Sequence, residues 1–260
     1  MNAELAQLVA LVAHGNAALA GSPVELFPGN STFRFVNAIR FIGPSWEAAD
    51  CATWWKMMKD EGISRLQLVR MPPAKRFPGV AEYHNVAFAG GMAAGIVTQS
   101  DGRPPEFWRA HWRVTEPRHP SNAIWTVDYH SGEATLLTPD PDVPSIDSAG
   151  KTLAQALARI RAFATTQELE SWTPWFDQAL ALLSSPAPVP PNHPDILPNF
   201  GYSIRARQLL AAAVRGWVFG GMGSWNDADL PDPAYESVTQ EYFEAEMNGV
   251  VAAVNSFEPT

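Results

Sequence analysis

The side chains in this sequence that could move a proton or hold a metal are six histidines and 27 carboxylates, beside one cysteine, Cys51. The histidines are His14, His84, His111, His119, His130 and His193. None pair as His-x-His or His-x-x-x-His, and His-Glu-x-x-His is absent, so zinc has no local signature. The best chemical pair is Asp128 and His130 in "TVDYHS". Strand alternation puts both on one face, and His111 on a neighbouring strand offers a third polar group. A carboxylate beside imidazoles is an acid–base or metal arrangement. Arg109 and His84 are further members of such a dispersed site. The competing reading is a row of polar strand residues among Trp108, Trp112, Trp125 and Tyr129.

Familiar catalytic motifs fail on inspection. "SIDSAGKT" (145–152) lacks the leading glycine of a phosphate-binding loop, and "PDPDVP" before it is not a strand. Its Asp147 and Ser148 fit a helix cap instead. "SAGK" matches Ser-x-x-Lys, but its Ser-Asp-Asn and Lys-Thr-Gly partners are missing. Gly-x-Ser-x-Gly does not occur. With one cysteine there is neither an internal disulfide nor a cysteine metal site.

The stretch "RGWVFGGMGSWNDADLPDP" (215–233) has a different character. Glycines end a helix, and Trp225 stands in a glycine loop followed by Asp227, Asp229 and Asp232 without a counter-charge. The spacing is not that of an EF-hand loop. In the helix that follows, Tyr235, Val238, Tyr242 and Ala245 share a buried face, leaving Glu241 and Glu244 on the far side. The expectation is an aromatic anchor, Trp225, rimmed by carboxylates. The alternative is a helix–loop–helix connector with a solvated acidic face.

Charge supports an interaction surface. The net charge is −9, and after Arg215 the chain has eight Asp or Glu and no Lys or Arg. Such a chain repels nucleic acid and anionic membrane, which need Lys and Arg to release counterions. It attracts a basic partner. No apolar run reaches the ~18 residues of a membrane span. "MNAELAQLVALVAHG" has no positive n-region, because the first basic residue is Arg34, so it reads as an amphipathic helix and not a signal peptide. A cytoplasmic location is expected.

Those residues must be positioned by elements readable along the chain. Residues 31–43 alternate as strand. "SWEAADCATWWKMMKDEG" (45–62) reads as a helix capped by Ser45, and "SRLQLVRM" (64–71) as a strand. "AAGIVTQ" and "EFWRAHWRVT" flank a hairpin at Asp101-Gly102. "AIWTVDYHSGEATLLTP" (123–139) reads as a second hairpin turning at "HSGE". After a linker at 138–145 the chain turns helical: 148–167, 170–185, 203–219 and 233–257. A proline-rich extended connection occupies 186–201. The expected fold is α+β, an N-terminal helix and antiparallel sheet of about five to seven strands packed against a C-terminal helical layer. Residues 1–147 and 148–260 form two lobes of one unit.

The functional expectation is a non-catalytic interaction protein that binds a basic protein partner, with no cofactor and no metal. In composition it resembles bacterial immunity proteins, which neutralise basic toxins. The alternative is an enzyme or small-ligand binder with the Asp128, His130, His111 and Arg109 site on its sheet.

Overall fold

The computed structural model describes residues 1–71, 80–133, 143–220, 223–228, 230 and 232–259. The order of elements is α1 (Ala3–Leu19), β1 (Val36–Ile42), β2 (Glu47–Ala48), α2 (Cys51–Asp60), β3 (Ile63–Arg70), α3 (Glu82–Asn85), β4 (Ala94–Ser100), β5 (Glu106–Val114), β6 (Trp125–Glu133), α4 (Ile146–Thr166), α5 (Thr173–Leu182), α6 (Ile204–Gly216) and α7 (Ala234–Val254). The fold is α+β, with the sheet in the N-terminal part and helices after it.

The six strands run β2-β1-β6-β5-β4-β3. From β3 to β6 the sheet is an antiparallel meander. Gly102 at the β4–β5 turn takes φ +91°, the left-handed conformation that glycine adopts without strain. β1, however, pairs with β6 in parallel. The sheet is therefore mixed and not wholly antiparallel. Parallel neighbours need a long crossover, and here all of β2 to β5 lies between the two strands.

Four local expectations change. α4 is capped by the Ser145 side chain, which accepts the Ser148 N–H at 3.2 Å, and not by Asp147 or Ser148. Ser31–Phe33 is a 3₁₀ turn and not strand, capped by the Asn30 side chain. α2 starts at Cys51 because Asp50 accepts the Thr53 N–H at 2.7 Å, so Ser45 is not the cap. "HSGE" belongs to β6 and is not a turn; the expected return strand at 134–139 lies outside the described residues.

α1 begins where the Asn2 side chain accepts the Leu5 N–H at 2.9 Å. It is buried almost all round, including Leu5, Leu8, Leu11, Val12 and the polar Gln7. A helix without a solvent face has to lie between two layers. α1 packs on β3 and β4 on one side and meets α7 on the other. α2 covers β1 and β3, stacking Trp54 on Phe41 with ring centroids 4.1 Å apart and setting it edge-on to Trp108 at 5.3 Å. Burying each such ring stabilises the fold by about 1.5–3 kcal/mol. α4 to α7 pack against one another and reach the sheet through α7 at β3. One continuous buried cluster runs from Leu5 to Phe257.

Among the described residues the helices pack on one face of the sheet, while at the β3–β4 end of the other face Val97 and Phe107 are buried in a small second cluster. On this other face, β1, β5 and β6 carry Arg40, Arg109, His111, Arg113, Asp128 and His130.

Candidate functional site

Strand register sets three of these side chains in a row: Arg40 opposite Asp128, and Asp128 opposite His111. Asp128 is buried, only 4% exposed. Arg40 grips it with a fork, Nε to Oδ1 at 2.7 Å and Nη2 to Oδ2 at 2.9 Å. Arg113 donates a further hydrogen bond to Oδ2. Burial opposes ionisation of this carboxyl, but the hydrogen bonds and charges of Arg40 and Arg113 together outweigh it and hold it below the usual aspartate range. Arg40 also lies 3.6 Å from the Glu47 carboxylate.

The expected trio of Asp128, His130 and His111 thus shares one face. The His111 and His130 rings stand edge-to-face with centroids 4.9 Å apart. Partial burial lowers the His111 pKa, and the neighbouring His130 and Arg109 lower it further. Neither imidazole hydrogen-bonds Asp128, whose two oxygens accept guanidinium N–H groups instead. The carboxylate is a clamped anion, unsuited to accept a proton. Among the described residues no group of three or more His, Cys, Asp or Glu is placed to hold a metal. His84 is elsewhere, on α3, where it lines a separate cavity with Tyr83 and Glu236.

What this face offers instead is cation. Arg109, opposite His130, has no carboxylate partner among the described residues. At the end of the face the Trp125 N–H donates to Phe35 O at 3.1 Å. Phe35 is 48% exposed, with the Arg34 guanidinium 5.5 Å from its ring centroid. Val114, at the end of β5, is equally exposed.

The acidic loop is built differently from expectation. Trp225 is fully buried, so it is not an exposed anchor. Its indole N–H donates to Thr239 Oγ1 at 2.9 Å, and its carbonyl accepts the Tyr235 hydroxyl at 2.6 Å. Trp172, Phe176 and Tyr235 surround its ring at centroid distances of 5.7, 5.7 and 5.8 Å. The residue folds back because burying a large aromatic outweighs the turn's outward bias.

The carboxylates around it have work inside the fold. Asp227 accepts the Gly223 N–H at 2.5 Å. Asp232 accepts the Ala234 N–H at 2.8 Å and the Gln167 amide at 2.6 Å. Glu241 holds Arg159 at 2.6 and 2.7 Å. Glu244 pairs with Arg70, which also reaches Glu82 at 3.1 Å. Asp229 lies outside the described residues.

Two clusters were not anticipated. Glu246 is wholly buried on α7, touching the Tyr242 hydroxyl at 2.5 Å, while that hydroxyl is also 2.7 Å from Gly216 O. One phenolic proton cannot serve both acceptors, so a protonated Glu246 supplies the second. Burial raises its pKa to about 8. In the sequence it looks like any other Glu on an acidic helix.

The second cluster joins Ser31, His193 and Asp195. Ser31 Oγ donates to Asp195 and lies 3.2 Å from His193 Nδ1, and the Ser31 N–H donates to the same carboxylate at 2.9 Å. Types suggest a nucleophile, but the order is wrong: the carboxylate takes the hydroxyl directly instead of orienting the imidazole. His14 and Asn30 hold Asp195 O at 3.0 and 2.7 Å, so the cluster ties the proline-rich connection to the N-terminal part.

No family model, no curated protein and no solved structure matches this chain.

Proposed function

We propose that this is a binding protein that docks an acidic protein surface on the exposed β1, β6 and β5 part of the sheet face opposite the helices. The observation that carries this reading is the grouping of Arg40, Arg109, Arg113, His111 and His130 on one face, ending at exposed Phe35 under Arg34. Four guanidiniums there meet two carboxylates, Asp128 and Glu47, in a chain whose net charge is −9. Arg and aromatic side chains are the groups that dominate binding energies at interfaces. Asp128 fixes Arg40 and Arg113 in place, which lowers the entropy lost when they engage a partner. An open face does not exclude water, and that disfavours chemistry while suiting docking.

The reading keeps the non-catalytic interaction function expected from composition, but it moves the surface and exchanges the expected basic partner for an acidic one. Trp225 is a core residue, and Glu241 and Glu244 are neutralised by arginines of the same chain. An immunity-like role in the general sense, a non-catalytic partner-binding protein, remains part of the proposal.

The test uses fluorescent poly-L-glutamate and poly-L-lysine as probes. The native protein should bind polyglutamate, more weakly as salt rises. Arg34→Glu with Arg109→Glu should weaken it at least about tenfold. Neither arginine holds a carboxylate among the described residues, so stability should move by only about 0.5 kcal/mol. Binding to polylysine instead, lost on reversing Asp227, Asp232 and Glu241 to lysine, would return the contact to the acidic end.

A further inference from the structure

A cavity of about 600 Å³ lies along β3 and β4, beside the small buried cluster of Val97 and Phe107, and reaches α7. Its volume is in the range of small-molecule sites. The floor is Gln67 and Val69 of β3 with Val97 and Gln99 of β4, since Gln67 pairs opposite Val97. α7 contributes Asn248 and Val251 to the lining, and Val143 also lines it.

Apart from Arg70, Arg103 and Asp101, the polar side chains of this lining are neutral. Gln99 Nε2 donates to Gln67 Oε1 at 2.7 Å, which leaves Gln67 Nε2 as a donor and Gln99 Oε1 as an acceptor. Ser100 Oγ is buried with no partner among the described residues. Asn248 brings another amide. The cations at the edge are already matched: Arg70 by Glu244 and Glu82, Arg103 by Glu61 at 3.1 Å. An anionic ligand would lose its hydration here, meet the Asp101 carboxylate, and find no unpaired cation among the described residues of the lining. An amide ligand would find a donor, an acceptor and valine side chains for its aliphatic part.

We infer that this cavity binds a small molecule that carries a secondary amide on an aliphatic or polyol body and no anionic group. It is independent of the docking surface proposed above, which uses β1, β5 and β6. The chemistry is shared by capped peptides and acetamido sugars.

Titration by saturation-transfer NMR with N-acetyl-valine N-methylamide, N-acetylglucosamine and the carboxylate N-acetylvaline tests it. At least one neutral amide should saturate in the millimolar range or tighter, and the carboxylate should bind at least about tenfold more weakly. The responding amide identifies the source as peptide-like or sugar-like. Gln67→Leu with Gln99→Leu should weaken binding about tenfold or more, and Val143→Trp, a change on an exposed wall, should block it, both with the melting temperature retained. Failure of both neutral probes to saturate, equal binding of the carboxylate, or unchanged affinity in folded variants would overturn the inference.

Discussion

Asn255 is hydrogen-bonded edge-on to Leu68: its Oδ1 accepts the Leu68 N–H at 2.8 Å, and its Nδ2 donates to Leu68 O at 2.9 Å. Two residues earlier on the same strand, Asn16 repeats the geometry on Leu66, at 2.7 and 2.9 Å. β3 is an edge strand, and an open edge is a template for unwanted pairing. Two side-chain amides thus replace the missing neighbour, one from α1 and one from the end of α7.

Removing either amide leaves a buried N–H and C=O without partners. Asn16→Ala should therefore cost about 2–4 kcal/mol, from one to three for each orphaned group with partial relaxation. Asn255→Ala, at a less buried position, should cost less. Urea unfolding should show a lower midpoint at unchanged slope, and a near-neutral Asn16→Ala would mean water closes the edge equally well.

Trp225→Ala should cost roughly 3–5 kcal/mol, as for a large buried aromatic. The same variant should bind polyglutamate like the native protein once conditions are chosen in which it is folded. A native melting temperature would contradict the packing described above.

The sequence shows why these roles were legible or not. Local rules worked where they act alone: the Asp101-Gly102 turn, the periodic helices and the α+β order were all readable. Trp225 misled because a tryptophan in a glycine loop reads the same whether it folds outward or onto Phe176 and Tyr235. "HSGE" looked like a turn because Ser-Gly carries turn chemistry, yet β6 continues through it beside β5. The parallel β1–β6 pairing is non-local, so nothing near either strand announces it. Alternation rightly puts Asp128 and His130 on one face, but the proximity of Asp128 to Arg40 depends on that same unreadable pairing. Asn16 and Asn255 were invisible as edge closures, being ordinary polar residues on or beside helices.

Asp128 predicts acid sensitivity. Its folded pKa is held below the ordinary aspartate value of 3.8, so its stabilisation is present above that pH and is lost as pH falls through the folded pKa. Asp128→Asn should lose about 1–3 kcal/mol near neutrality, and the gap to the native protein should close in acid. The arginines remain partly exposed, which keeps the cost below that of a fully buried pair. A gap independent of pH down to strong acid would argue against the ion-pair account.

Glu246 predicts the opposite slope. Its folded pKa is raised from 4.5 to about 8, so the unfolded chain releases this proton first. Stability should therefore fall as pH rises between those values and level off above them. Glu246→Gln, which keeps the shape of the neutral carboxyl, should be more stable at pH 7 by on the order of 3 kcal/mol and lose this slope. An equal slope in both proteins would place the titration elsewhere.

The two parts of the chain should not fold apart. α1 belongs to the N-terminal part, yet it is buried on the side where α7 lies, so residues 1–147 alone would expose Leu and Val side chains to water. Their β3 edge would also lose Asn255, and Arg65 would lose its bond to Asn255 O. Each fully exposed Leu or Val forfeits about 1.5–3 kcal/mol of burial, and two or three of them match the whole stability of a small domain. Residues 148–260 face the reciprocal loss, with Met247, Val250 and Val254 of α7 buried in the same cluster. Expressed separately, each part should lack a cooperative unfolding transition, and mixing should restore one. A cooperative transition in the isolated N-terminal part would show that α1 and the sheet close their own core, leaving the asparagine at position 255 as an accessory to an edge that is stable without it.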